Sequence, residues 1–274
     1  MAPLRAGRSR PGGRLFFCGA KRHAAPNRAM FDLTHDGAVA HLRLDRPAAR
    51  NAIPAQGWAL LAHRCREAVR SAARLLIVSG TGDAFCAGAD LDDFAAFTAD
   101  PSAARAFRLM MRAGLDALRD LPLVTIAHVE GPCYGAGVAL AMACDLRVAG
   151  AGAQFAITPA KFGISYPQED VARLVALAGP GQAARLLLGA GSIDSAEAAR
   201  IGLVEIAATD SRTAIDELAG AILANSPESV AVLKRAIRLA GDGVASDADQ
   251  DRRFDAMFGA AEFRDRLAAL RPRR

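Results

Sequence analysis

The sequence predicts an α/β protein with a helical C-terminal region, and three observations carry that reading. "ARLLIVSG" (73–80), "LVTIAHVEG" (123–131) and "LRVAG" (146–150) are short apolar runs bounded by turn signals. They read as strands covered on both faces of a sheet. Helix-length segments separate them, which is the strand–helix alternation of α/β folds. Beyond residue 180 the strand patterns nearly vanish and the remaining roughly 90 residues read as helices. A chain of 274 residues, 52% apolar and 23% charged, is long enough for one large domain or one domain with a helical appendage.

Order is expected to begin near Met30. "AVAHLRLD" (38–45) alternates well enough for a strand, and "RPAARNAI" reads as a turn. Pro54 opens a helix that runs to about Arg70, with Ala59, Leu60 and Leu61 on its apolar side. After the 73–80 strand, "TGDAFCAGADLDDF" is a glycine-containing loop entering a short helix, and Ala103–Leu118 is a longer one. After the 123–131 strand, "GPCYGAGVALAMACD" is a glycine-rich turn running into a helix of small residues. The helical tail comprises "AARLLLGA", "SAEAARIG", "RTAIDELAGAILAN", "SVAVLKRAIRLA" and "DQDRRFDAMFGAAEFRDRLAAL".

The formal net charge of +5 belongs to the N-terminus. Residues 1–30 contain seven Lys or Arg and no acid, so the rest of the chain carries −2. A basic face for nucleic acid is therefore not expected on the folded body. Residues 1–29 are read as a disordered or spurious basic extension, with an Arg-rich targeting peptide as the alternative. The five cysteines form no CxxC or metal-ligand spacing, so no metal is expected; they read as reduced thiols of a cytoplasmic protein. Cys86 and Cys133 each lie beside a glycine cluster and are read as small buried hydrophobes. No apolar run reaches membrane-spanning length.

The chemistry points to two glycine turns. In "FCAGAD", Gly88 precedes a helix start and Asp90 suits an N-cap, which would leave the Ala89 N–H free. In "GPCYGAGVAL", Gly135 and Gly137 flank Ala136 at a helix start, so its N–H would also lack a partner. Two such donors converging would form an oxyanion hole, stabilising charge on a thioester enolate oxygen. A dinucleotide GxGxxG after a strand, a P-loop and a GxSxG nucleophile elbow are all absent.

Taken together, "LDRPAARNAI", "FCAGADL", "VEGPCYGAGVALAMACDLRVA", "AQFAITPAKFGI" and "AARIGLVEIAA" resemble the enoyl-CoA hydratase/isomerase (crotonase) family over about residues 31–272. The resemblance implies a spiral of stacked ββα units over residues 30–200, followed by a helical trimerisation region over 201–274. It implies an acyl-CoA substrate, trimers or dimers of trimers, and no cofactor other than the coenzyme A that is part of the substrate. The family's two enolate-stabilising amides fall on Ala89 and Ala136. Its CoA-holding turn falls on Ala48, Ala49 and Arg50, with Gly88 and Gly135 letting substrate approach the backbone.

Two departures bear on the reaction. The family's hydratase glutamates correspond to Ala139 and Pro159, and an aspartate used by some isomerases corresponds to Pro167. None of the three replacements transfers a proton. "AITPAKFGISYP" resembles instead a subgroup that includes methylmalonyl-CoA decarboxylase, which has a tyrosine where this chain has Tyr166, and a histidine where this chain has Ala89. A phenol is a poor base at neutral pH but a suitable hydrogen-bond donor. Glu169 and Asp170 either occupy the first turn of the next helix, favoured there by its dipole, or reach back to the substrate. Double-bond isomerisation, which a single carboxylate can serve, and a non-catalytic acyl-CoA-binding homologue are the other readings. Asp92 and Asp93 are expected to face solvent, His128 to be a satisfied core histidine, and Phe94, Phe97, Phe107 and Met110 to line either the acyl pocket or the core.

Overall fold

The computed structural model describes residues 30–270, so the basic extension proposed for residues 1–29 lies outside the described residues. The chain opens with an antiparallel hairpin, β1 (Phe31–Asp36) and β2 (Val39–Leu44). A 3₁₀ turn (Pro47–Ala49), α1 (Ala55–Val69) and β3 (Leu75–Gly80) follow, then α2 (Phe94–Ala99), α3 (Pro101–Arg119) and β4 (Val124–Val129). Next come β5 (Pro132–Tyr134), α4 (Ala136–Ala143), β6 (Leu146–Gly150), β7 (Gln154–Ala156), α5 (Gln168–Gly189) and β8 (Ser192–Asp194). The last elements are α6 (Ser195–Arg200), β9 (Ile206–Ala208), α7 (Ser211–Ala224), α8 (Pro227–Gly241), α9 (Ala248–Met257) and α10 (Ala261–Leu270).

Six strands form one sheet in the order β1-β2-β3-β4-β6-β9, parallel from β2 onward, and β5-β7-β8 form a second, smaller sheet. This is the α/β spiral with a helical end that the sequence leads one to expect. The apolar strands are continuous because both faces of the large sheet are covered. Leu76, Val78, Ala127 and Val129 join the core that contains Trp58, Leu61, Leu115, Leu118 and Leu140. Leu75, Ile77, Ile126 and Val148 pack with Ile215 and Ala219 of α7. Burying side chains of this size stabilises the fold by about 1.5–3 kcal/mol each.

Three sequence readings are corrected. β1 was missing from the pattern, although the Asp36-Gly37 pair marks the hairpin turn. The α/β core does not stop at residue 200, because β9 pairs in parallel with β6 through Val148 and Ile206. The helix expected after Pro167 and the one read over "AARLLLGA" meet, within Gln168–Gly189, at Gly179, whose φ of 76° is not helical, followed by Pro180. Asp93 does not simply face solvent: its Oδ2 accepts the Ala55 N–H at 2.7 Å and so caps α1 in place of Pro54, which has no side-chain acceptor. Asp92 is exposed, as expected. His128 is satisfied, its Nε2 lying 2.8 Å from Ser211 Oγ.

Candidate active site

The first turn runs from Cys86 to Asp90, and each of its amides but one has an acceptor. Cys86 N–H donates to Pro132 O (3.1 Å), Ala87 N–H to Arg50 O (2.9 Å) and Asp90 N–H to Ile53 O (3.0 Å). Gly88 N–H donates to the Cys86 Sγ at 3.4 Å. Among the described residues, Ala89 N–H has none. Gly88 adopts φ +110°, a conformation in which L side chains are strained, and a Cβ there would lie 2.9 Å from Tyr134 O.

The second turn lies directly against the first. Gly135 is the N-cap of α4, with its N–H donated to Ala156 O at 2.8 Å. Ala136 and Gly137 begin the helix, and their N–H groups have no acceptor among the described residues. The position a Cβ would take on Gly88 is 3.4 Å from Ala136 N, so the two turns are in contact and the free amides of Ala89 and Ala136 belong to one place. Free backbone donors of this kind are what a developing oxyanion needs.

The turn carrying Ala48, Ala49 and Arg50 is fastened to the same place. Arg50 and Asn51 have left-handed backbones, φ 48° and 58°. The buried Asn51 accepts Arg46 N–H at 2.9 Å and donates to Thr81 O and Ala84 O at 2.9 and 2.7 Å. Arg46 Nη1 donates to Ala52 O (2.6 Å) and pairs with Asp90 Oδ2 (2.9 Å). Asp90 is thus more than an N-cap: it ties the turn before α1 to the turn of Ala89, a link that sequence reasoning missed because its partners are 44 residues apart. Arg46→Ala is expected to loosen both turns together, raising KM and lowering kcat, each by about tenfold, since small misplacements of reacting groups are costly. Steady-state kinetics check this, and an unchanged kcat would contradict the coupling.

The expected acid–base residues are placed differently from one another. Tyr166 is half-buried and its hydroxyl donates to Gly135 O at 3.0 Å, beneath the second turn. Burial, and then the charge of Asp170, push its phenol well above the ordinary value, against the Ala139 amide that faces the hydroxyl. The tyrosine therefore sits over the residue where a hydratase glutamate is expected. Ala139 itself is buried in α4, and Pro159 opens a 3₁₀ turn. Asp170 is fully buried and turned to α3: its Oδ1 pairs with Arg112 Nη1 at 2.9 Å and with Arg173 Nη1 at 3.7 Å. Burial raises its carboxyl pKa, against the pull of Arg112. Glu169 is exposed in the first turn of α5. Phe94, Phe97 and Phe107 stack with centroids 5.1–6.1 Å apart.

This geometry has counterparts. Residues 34–262 match the family model described as enoyl-CoA hydratase/isomerase. The crotonyl-CoA hydratase of Syntrophomonas wolfei is 34% identical over 228 residues, covering 80% of this chain and 84% of that one. A Hyphomonas neptunium protein assigned to the same family superposes with a TM-score of 0.84 at 34% identity, over 88% of this chain and 95% of the other. A Thermobifida fusca protein crystallised in complex with CoA gives 0.72 at 31% identity, over 88% and 94%. With the fold, the two touching turns and these matches in agreement, the chain belongs to the enoyl-CoA hydratase/isomerase family.

Proposed function

We propose that this protein is an acyl-CoA enzyme that stabilises a thioester enolate with the Ala89 and Ala136 amides and does not add water across a double bond. The observation that carries the reading is the pair of acceptor-free N–H groups in two touching turns, with no carboxylate at residues 139 or 159. Hydration uses one group to take a proton from water and one to give a proton to carbon. Decarboxylation uses neither to start. The Cα–carboxylate bond breaks, CO₂ leaves, its electron pair becomes the enolate held by the two amides, and a solvent proton then returns to Cα. Coenzyme A enters as part of the substrate, held at Ala48, Ala49 and Arg50 with Gly88 and Gly135 admitting the thioester, and no other cofactor is called for. The CoA complex of the Thermobifida fusca relative supports that ligand class.

Incubation with methylmalonyl-CoA, a 3-enoyl-CoA and crotonyl-CoA tests the reading. CO₂ release from the first, with little hydration of the last, is the expected pattern. Binding of all three with turnover of none favours the second reading, a non-catalytic acyl-CoA binder. The positions of Tyr166 and Asp170 support that reading, since both side chains are already engaged.

Tyr166 serves here chiefly to hold the Gly135 carbonyl, and so the second turn. A raised phenol stays protonated: its contribution to stability is present below the ordinary value of 10.0 and is lost only as pH rises through the higher folded value. No tyrosine limb is therefore expected in kcat below pH 10.0. Tyr166→Phe is expected to lower kcat by about tenfold, short of the roughly 10²–10⁴ that direct proton transfer supplies. A loss in that upper range would make Tyr166 the proton donor to Cα.

A homotrimer, or a dimer of trimers, in the cytoplasm completes the proposal. Leu233, Phe254, Phe258 and Phe263 are exposed on the C-terminal helices, around a groove of about 300 Å³. Sedimentation should give a mass that is a multiple of three 28.6 kDa chains, and a monomer would contradict it. No helix among the described residues is long and apolar enough to cross a membrane.

A further inference from the structure

Cys86 lies at the junction of the two turns. It is completely buried. Its Sγ accepts the Gly88 N–H at 3.4 Å and donates to Asn51 O at 3.2 Å, with Gly88 O a more distant acceptor at 3.7 Å. Its backbone joins the first turn to the second: Cys86 N–H donates to Pro132 O, Tyr134 N–H donates to Cys86 O at 2.9 Å, and Cys86 and Cys133 form an isolated parallel bridge. A Cβ on Gly137 would lie 2.3 Å from Cys86 O and 3.0 Å from Cys86 Cβ, so α4 begins in direct contact with this residue.

We propose that Cys86 is a positioning residue of the oxyanion hole, its thiol fixing the Ala87–Gly88 peptide so that Ala89 is the amide of the turn left free for substrate. The inference rests on the acyl-CoA reading above. Gly88 has φ +110° and no Cβ, so its own sterics do little to fix the neighbouring peptides. Every other constrained amide of the turn is held by a backbone carbonyl, and Gly88 N–H alone by a side chain. Without the sulfur, the Gly88 N–H would be a second orphan donor beside Ala89, and the peptide could turn to satisfy it at the expense of the Ala89 direction. The thiol suits the task chemically. It both donates and accepts, and burial pushes its pKa up to about 12, against the Gly88 N–H, so it remains a neutral donor at working pH.

The test compares Cys86→Val, which keeps bulk but neither donates nor accepts, with Cys86→Ser, which does both. The probe is butyryl-CoA carrying ¹³C at the thioester carbonyl, whose stretch moves to lower frequency when oxyanion-hole donors engage it. Wild type and Cys86→Ser are expected to show the bound-state shift. Cys86→Val is expected to lose most of it while binding CoA as tightly as wild type, and to lose about 10- to 100-fold in kcat on the substrate that wild type turns over. A full shift in folded Cys86→Val overturns the inference and leaves the acyl-CoA reading standing. No shift in wild type overturns the oxyanion hole itself. Should Cys86→Val not fold, amide exchange on wild type decides: Gly88 N–H is expected to be protected, and exchange at the rate of an unbonded amide contradicts the brace.

Discussion

Ala136→Pro is expected to remove most turnover while leaving the fold intact. Ala136 is the first residue of α4, after Gly135 as N-cap. Proline is well accommodated there because that N–H has no helical acceptor, so the substitution deletes one donor and no helical hydrogen bond. Loss of one oxyanion donor costs about 10²–10³ in kcat. The turn of Ala48–Arg50 and its ties to Asn51 and Arg46 are untouched, so affinity for coenzyme A itself should change little. Circular dichroism and thermal unfolding check the fold, and kinetics the turnover. Near-normal kcat in a folded variant would remove the Ala136 amide from the mechanism.

Asp170→Ala is expected to have the largest effect on stability, about 3 kcal/mol, because it removes one partner from a buried ion pair. Asp170 is fully buried between Arg112 and Arg173, and both arginines also reach Asp116, at 3.0 and 3.2 Å. Without Asp170, two mostly buried guanidinium groups share the single half-exposed carboxylate of Asp116. Asp170→Asn keeps an acceptor for Arg112 and should lose less. Denaturant unfolding measures both. A loss in Asp170→Ala no larger than that of an exposed pair, about 1 kcal/mol or less, would show that the cluster does not hold α5 to α3. The same buried pairing turns the Asp170 carboxylate toward Arg112 of α3, where its charge joins two helices.

The two glycine turns were legible because their geometry is local. Gly135 is the N-cap of α4 and Gly88 lies just before the 3₁₀ turn that Asp90 caps, and the amide left free in each turn follows from a few neighbouring residues. That residues 139 and 159 are Ala and Pro, not carboxylates, is likewise a matter of residue type alone. What escaped the sequence is what only tertiary pairing creates. The Arg46–Asp90 tie and the Arg112–Asp170 pair join residues 44 and 58 positions apart. Cys86 read as a small buried hydrophobe, which its burial bears out, but its hydrogen bonds to Asn51 and Gly88 exist only once the turns are stacked. The three-residue strands β5, β7 and β8 are too short to show any period. Tyr166 drew attention through the resemblance of its segment, whereas its engagement with Gly135 O could be learned only from the fold.

The proposed chemistry has two backbone amides, and no hydratase carboxylate, meeting the substrate's thioester. A crystal structure with a non-reactive acyl-CoA bound measures this most directly. The thioester oxygen is expected within hydrogen-bonding distance, about 3 Å, of both Ala89 N and Ala136 N, with Glu169 and Asp170 away from the α-carbon. A thioester oxygen out of reach of either amide, or a carboxylate of Glu169 or Asp170 against the α-carbon, would contradict it.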